Sequence, residues 1–189
     1  MIPNSDNTAP LAVTREPDWG KPLSVTFMHS TAVFKSRAGK EQRKRMRRSP
    51  KARISWEVSG LTLEEAQAAM EEQAAHGLRL CVVPFWTEGT VTITSIASNA
   101  VTIGVDPRRD FFAVGQYVYL DDGTNQDFRE IASVADRILT LVADGGAPAF
   151  GAGARIFPCR ICRRLPNDDT LSATDTHSHD LKLSFETTE

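Results

Sequence analysis

The sequence predicts a mainly β chain with one helix, in which a small β-barrel is spliced into another domain. Three observations carry this. Short alternating apolar runs recur with turn residues every eight to twelve positions or so. Only one stretch has helical spacing, and a lone strand pattern returns near the end of the chain at residues 181–185.

Residues 1–20 are polar and Pro-containing without apolar periodicity and read as a flexible arm. Leu23, Val25 and Phe27 then alternate with polar partners, the period of a half-buried strand, and Ala32, Val33 and Phe34 form a second apolar group. A basic stretch follows, with Gly39 as a turn signal and Ser49-Pro50 as a breaker. It leads into a strand pattern over 53–58. Thr62 and Glu65 have capping-box spacing and open a helix over 62–76. Leu63, Ala66, Ala69, Met70 and Ala74 make its apolar face, and Gly77 is its expected left-handed end. Residues 78–83 read as a buried strand stopped by Pro84.

From Trp86 to Pro158 five or six short strand patterns follow, with Asp121-Asp122-Gly123 as a hairpin turn. Cys159 to Leu165 is strand-like and precedes a polar loop. A single unpaired strand is unstable, so the terminal strand is expected beside the early ones. The expected division is an arm at 1–20, a β domain from 21–85 with 159–189, and a small barrel over 86–158.

The 189 residues are 41% hydrophobic and 24% charged, ordinary for a soluble globular chain. No run of 18 apolar residues exists, so no membrane partner is expected. The first residues have neither a basic nor an apolar segment of the secretory kind, so no signal peptide is expected. Three cysteines suggest no disulfide framework and folding in a reducing cytoplasm.

The net charge of −2 conceals an asymmetry. Arg37, Lys40, Arg43, Lys44, Arg45, Arg47, Arg48, Lys51 and Arg53 lie within one segment beside a single acid, Glu41. Removing these nine cations and one acid from totals of 22 and 24 leaves 13 basic and 23 acidic residues, a formal charge of −10. A chain divided this way suits head-to-tail contact between copies. The nine cations are read as a subunit-contact loop. Gripping phosphates is the alternative, disfavoured because the segment holds no aromatic residue for stacking on bases.

Candidate chemistry is sparse. There is no P-loop, dinucleotide fingerprint, nucleophile elbow or H-E-x-x-H pattern. Of the four histidines, His76 suits the helix C-terminus and His29 has no evident partner. Cys159-x-x-Cys162 with Cys81 and His177 or His179 is a possible zinc or iron–sulfur set, but an extended segment points positions i and i+3 to opposite faces. Asp121, Asp122, Asn125 and Asp127 carry oxygen ligands without EF-hand spacing, so a hydrated turn is the preferred reading. No catalytic residue, cofactor or metal is expected, and an enzyme is not the reading.

The order of these pieces resembles the tail-tip proteins of long-tailed bacteriophages, the distal-tail and minor-tail (baseplate) subunits. The likeness rests on the early strand with Phe27 and Phe34, and on Ser36-Arg37-Ala38-Gly39-Lys40-Glu41-Gln42-Arg43 with its continuation through Pro50-Lys51-Ala52-Arg53. The junction Val83-Pro84-Phe85-Trp86 and the ending Gly151-Ala152-Gly153-Ala154-Arg155-Ile156-Phe157-Pro158 complete it. It spans about residues 20–189. The resemblance implies a tail-tube-like β-sandwich with one flanking helix. It implies a homo-oligomeric ring around the tail channel that joins the tube to hub and receptor-binding proteins. Sixfold symmetry is favoured for a distal-tail ring, threefold for a hub. It places the chain in the virion after assembly in the host bacterial cytoplasm, with the basic segment reaching a neighbouring subunit. Related hubs sometimes carry iron–sulfur cysteines, and some tail-tip proteins cleave peptidoglycan. Neither paired catalytic carboxylates nor a Cys/His set stands here for the latter.

Overall fold

The computed structural model describes residues 10–46, 50–76, 79–105, 112–165, 168–173 and 178–188. In chain order the elements are β1 (Leu11–Ala12), β2 (Ser24–Met28), β3 (Thr31–Lys35), β4 (Glu41–Arg45), β5 (Lys51–Leu61), α1 (Leu63–His76) and β6 (Leu80–Pro84). A 3₁₀ turn at Trp86–Glu88 precedes β7 (Thr90–Val91), β8 (Thr102–Gly104), β9 (Tyr117–Asp121) and β10 (Gln126–Ala135). The last four strands are β11 (Ile138–Leu141), β12 (Arg155–Arg164), β13 (Thr170–Ala173) and β14 (His179–Thr187). Among the described residues the chain is mainly β with one α-helix.

The described residues divide into two compact units, one from 1–15 and 80–161, the other from 16–79 and 162–189. The second stretch of the first unit spans 80–161, where an insertion over 86–158 was expected. Its earlier start follows from β6, which pairs with β1 and β12. Leu11 lies opposite Cys81 and Ala12 opposite Val82 in parallel register, and the Val13 N–H donates to the Val82 carbonyl at 3.0 Å. Residues 11–13 are thus packed within the stretch expected as an arm, while residues 1–9 lie outside the described residues. A two-residue strand is too short to leave a period in the sequence.

The rest of this unit is a small closed barrel. Strands β8, β11, β10, β9 and β12 pair antiparallel in that order. β7 pairs with β12 on one side, and the residues just after it reach β8: Thr92 bridges Val105 and the Ile93 N–H donates to the Gly104 carbonyl at 3.0 Å. Closure leaves no edge between these strands open. A register shift between Ile131 and Ser133 bends β10, so that its first half pairs with β9 and its second with β11. Ile103, Val118, Leu120, Ile131, Leu139, Leu141 and Ile156 fill the core. Each contributes about 1.5–3 kcal/mol by burial.

A second buried cluster in the same unit gathers Trp86, Tyr119, Phe128 and Phe157. Trp86 meets Phe157 edge-on at 5.0 Å, and Tyr119 lies 4.7 Å from Phe128. Gly89 leaves room for this packing, because a Cβ there would lie 2.6 Å from Cδ1 of Phe157. Arg129 is buried, and its guanidinium donates to the carbonyls of Ala100 and Val142, both at 2.7 Å.

In the other unit β5 lies between β2 and β14, all antiparallel. On its far side β14 pairs with β13 and with residues 162–164 of β12. The terminal strand therefore runs beside β5, with Leu183 opposite Trp56 and Phe185 opposite Ile54. Leu181, Leu183 and Phe185 are buried with Ile54 and Trp56, and Trp56 stacks on Phe185 at 5.2 Å. The stretch after residue 165, expected as a polar loop, contains β13, whose four residues are all exposed. Its pairing partner, not an apolar period, makes it a strand.

Helix α1 starts as its sequence dictates. The Thr62 N–H donates to Glu65 Oε2 at 2.9 Å, and the Glu65 N–H donates to Thr62 Oγ1 at 3.3 Å. Ala66 and Ala69 are buried, but Leu63 is 54% and Met70 50% exposed. The expected apolar face is thus split, with alanines inward and the two larger side chains outward. Gly77 lies outside the described residues, as do the side-chain surroundings of Ala74 and His76. Thr62→Ala removes the reciprocal cap and should cost about 1 kcal/mol in urea unfolding followed by far-UV circular dichroism. Thr62→Ser should keep most of it, and equal losses in the two variants would count against the cap.

Candidate functional site: the β3–β4 hairpin

Up to Arg45 the basic segment forms the turn and second strand of a hairpin where a loop was expected. Thr31 pairs with Arg45, Ala32 with Lys44, Val33 with Arg43, Phe34 with Gln42 and Lys35 with Glu41. The turn is held by the Ser36 N–H to the Lys40 carbonyl at 2.9 Å and the Lys40 N–H to Ser36 Oγ at 3.2 Å. Gly39 sits at φ +77, a left-handed conformation that glycine takes without a Cβ penalty. At the open end the Met46 N–H donates to the Ser30 carbonyl at 2.9 Å.

Alternation gives the hairpin two faces. One carries Thr31, Val33 and Lys35 with Glu41 and Arg43. The other carries Ala32 and Phe34 with Gln42 and Lys44. Neither face is covered: Val33 is 49% and Phe34 56% exposed, and Met46 beyond β4 is 58% exposed. Phe27, on β2, is equally open at 58%. Among the described residues β3 and β4 pair with each other and with no other strand. Two strands alone are marginal in water, so a hairpin with exposed aromatic and aliphatic side chains is suited to being covered.

The nine cations do not form one set. Arg37 and Lys40 lie at the turn, and Arg43, Lys44 and Arg45 on β4. Arg47 and Arg48 lie outside the described residues. Lys51 and Arg53 belong to β5 and are bound within the unit: Lys51 Nζ lies 2.9 Å from Glu186 and the Arg53 guanidinium 3.5 Å from Asp168. Arg43 is 3.5 Å from Glu41 on its own strand. Of the nine cations expected as a contact loop, five lie on the hairpin. A pocket of about 260 Å³ beside Lys51, lined by Arg163, Leu165, Glu186, Thr187 and Thr188, holds its central charges in the Lys51–Glu186 pair.

The other candidates are placed as follows. Cys81, Cys159 and Cys162 are buried and free of disulfides, and Cys159 Sγ lies 3.7 Å from the Phe157 carbonyl. His179 is on β14, His29 is exposed between β2 and β3, and His177 is outside the described residues. Among the described residues no three His, Cys, Asp or Glu side chains gather as a metal set. Asp121 pairs with Arg155, and Asp122 accepts the N–H groups of Thr124 at 3.0 Å, Asn125 at 2.8 Å and Gly151 at 3.2 Å. The Asn125 and Thr124 amides hold the Asp122 carboxyl below its usual range. Burial pushes the Asp127 carboxyl up. Asp121 and Asp122 serve the β9–β10 turn.

The positions that sequence reasoning missed are the outward apolar ones. Val33, Leu63 and Met70 fall in apolar patterns that read as core, and only the fold leaves them open. No protein-family model matches the chain, and no curated protein matches it.

Proposed function

We propose that the chain is a structural subunit of the tail tip of a long-tailed bacteriophage, with no catalytic step of its own. It forms a ring that joins the tail tube to hub and receptor-binding proteins, sixfold if it is the distal-tail ring and threefold if it is a hub. The observation that carries this reading is the uncovered β3–β4 hairpin, which leaves Val33 with Arg43 open on one face and Phe34 with Lys44 on the other. Exposed apolar side chains beside cations, on a chain otherwise at −10, favour a protein partner of acidic character. The mainly β class with one helix is the part of the fold implied by the resemblance that supports this reading.

Native mass spectrometry at low and high salt tests the ring. Hexamers or trimers that give way to monomer as salt rises are expected, because the contact draws on opposite charges. A monomer at every concentration and ionic strength would count against a ring.

One observation favours a second reading, a nucleic-acid contact. The pairing sets Phe34 on the same face as Lys44, giving the cations the aromatic neighbour their own segment lacks. That reading expects retention on duplex DNA that weakens steeply with salt and is lost in Arg43→Ser with Lys44→Ser. Retention unchanged in that variant would exclude the hairpin as its source.

A further inference from the structure

We infer that the β3–β4 hairpin of one copy docks on the outward stripe of α1 in the next copy. The inference rests on the ring reading above and names the surface that receives the hairpin.

Positions 63, 67 and 70 share one helical stripe, and positions 64 and 71 run alongside it. The stripe therefore sets Leu63, Gln67 and Met70 beside Glu64 and Glu71. Leu63 and Met70 are half exposed while Ala66 and Ala69 face inward, so the larger apolar side chains of this helix point away from its own core. Nothing in the helix opposes its acids: Leu63–His76 contains four glutamates and no lysine or arginine.

The hairpin is the complement of that stripe in both respects. Between Lys35 and Arg45 it has six cations against the single Glu41, and it holds Val33 and Phe34 open on its two faces. Each face of the hairpin sets one apolar side chain beside a cation, Val33 with Arg43 and Phe34 with Lys44, and the helix stripe sets Leu63 and Met70 beside glutamates, so the margins are opposite in sign. Within one copy α1 packs against β5 and β14, which leaves the stripe outward. Two different surfaces meeting between identical chains make a heterologous contact, the kind that closes into a ring when the rotation allows. Charge matching of this sort sets register and partner choice, while the apolar side chains supply most of the affinity.

The test is a charge exchange read by native mass spectrometry and sedimentation of the full chain. Arg43→Glu with Lys44→Glu should raise the concentration for half-assembly at least about tenfold. Glu64→Lys with Glu71→Lys should do the same. The chain carrying all four changes should assemble within about threefold of the unaltered one. Lysine in the first helical turn opposes the helix dipole, so Glu64→Gln with Glu71→Gln is run beside it, with circular dichroism as the check of folding. This milder pair should weaken assembly by a smaller factor. An unaltered chain that assembles while folded helix variants assemble equally well overturns the docking and leaves the ring standing. Absence of rescue in the fourfold variant also overturns it. An unaltered chain that stays monomeric overturns ring and docking together.

Discussion

Replacing Asp169 with alanine is expected to destabilise the unit that contains it by about 3–5 kcal/mol, as breaking one side of a buried ion pair does. Asp169 Oδ2 accepts from Arg164 Nε at 2.7 Å, with side chains 1% and 7% exposed. Its Oδ1 accepts the Ser184 N–H at 2.7 Å. One carboxylate therefore joins the end of β12 to the middle of β14. Alanine leaves a guanidinium buried without its anion and an amide without its acceptor.

Burial pushes the Asp169 carboxyl up, against the opposing pull of Arg164 and the Ser184 N–H. The native state then holds this proton more tightly than the unfolded chain does. Its contribution to stability is largest below the ordinary value of 3.8 and is lost as pH rises through the native value. The pair thus fixes position more than it adds net stability. Asp169→Asn keeps the shape and one acceptor, and should cost less than alanine. Urea midpoints at constant slope measure both, and a loss under about 1 kcal/mol for alanine would show that the pair does not hold the strands.

Trp56→Ala should cost a similar amount, about 3–5 kcal/mol. Trp56 is 1% exposed, lies opposite Leu183 and stacks on Phe185 with 23° between the ring planes. Its removal empties the centre of the β5–β14 pair, and neighbours held by strand register can collapse into the gap only in part. Trp56→Phe should recover much of the loss. Circular dichroism is the suitable signal, because Trp19 and Trp86 also fluoresce. A change of less than about 1 kcal/mol would mean that this cluster is not the core of the unit.

The parts of the fold legible in the sequence are those whose side chains repeat with the period of their element. Thr62 and Glu65 mark the helix start because both partners of the cap are local. Leu181, Leu183 and Phe185 mark the terminal strand because one face is buried along its length. The β4 strand was not legible: Glu41, Gln42, Arg43 and Lys44 are all polar and all exposed, so no apolar alternation exists to be read. Its strand form comes from pairing with β3. The Arg164–Asp169 pair was hidden for another reason. An arginine within an apolar run and an aspartate in a polar stretch look unrelated until the fold sets them 2.7 Å apart. Of the candidate site, the cations were visible as composition. Their division between an uncovered hairpin and the internally paired Lys51 and Arg53 depends on which acids the fold sets opposite them.

Immunogold electron microscopy of virions from a phage encoding this chain tests the central claim most directly. Label at the distal end of the tail is expected, in a stoichiometry that fits a ring of six or three copies. Label on the head or along the tube, or virions that contain none of the chain, would contradict it.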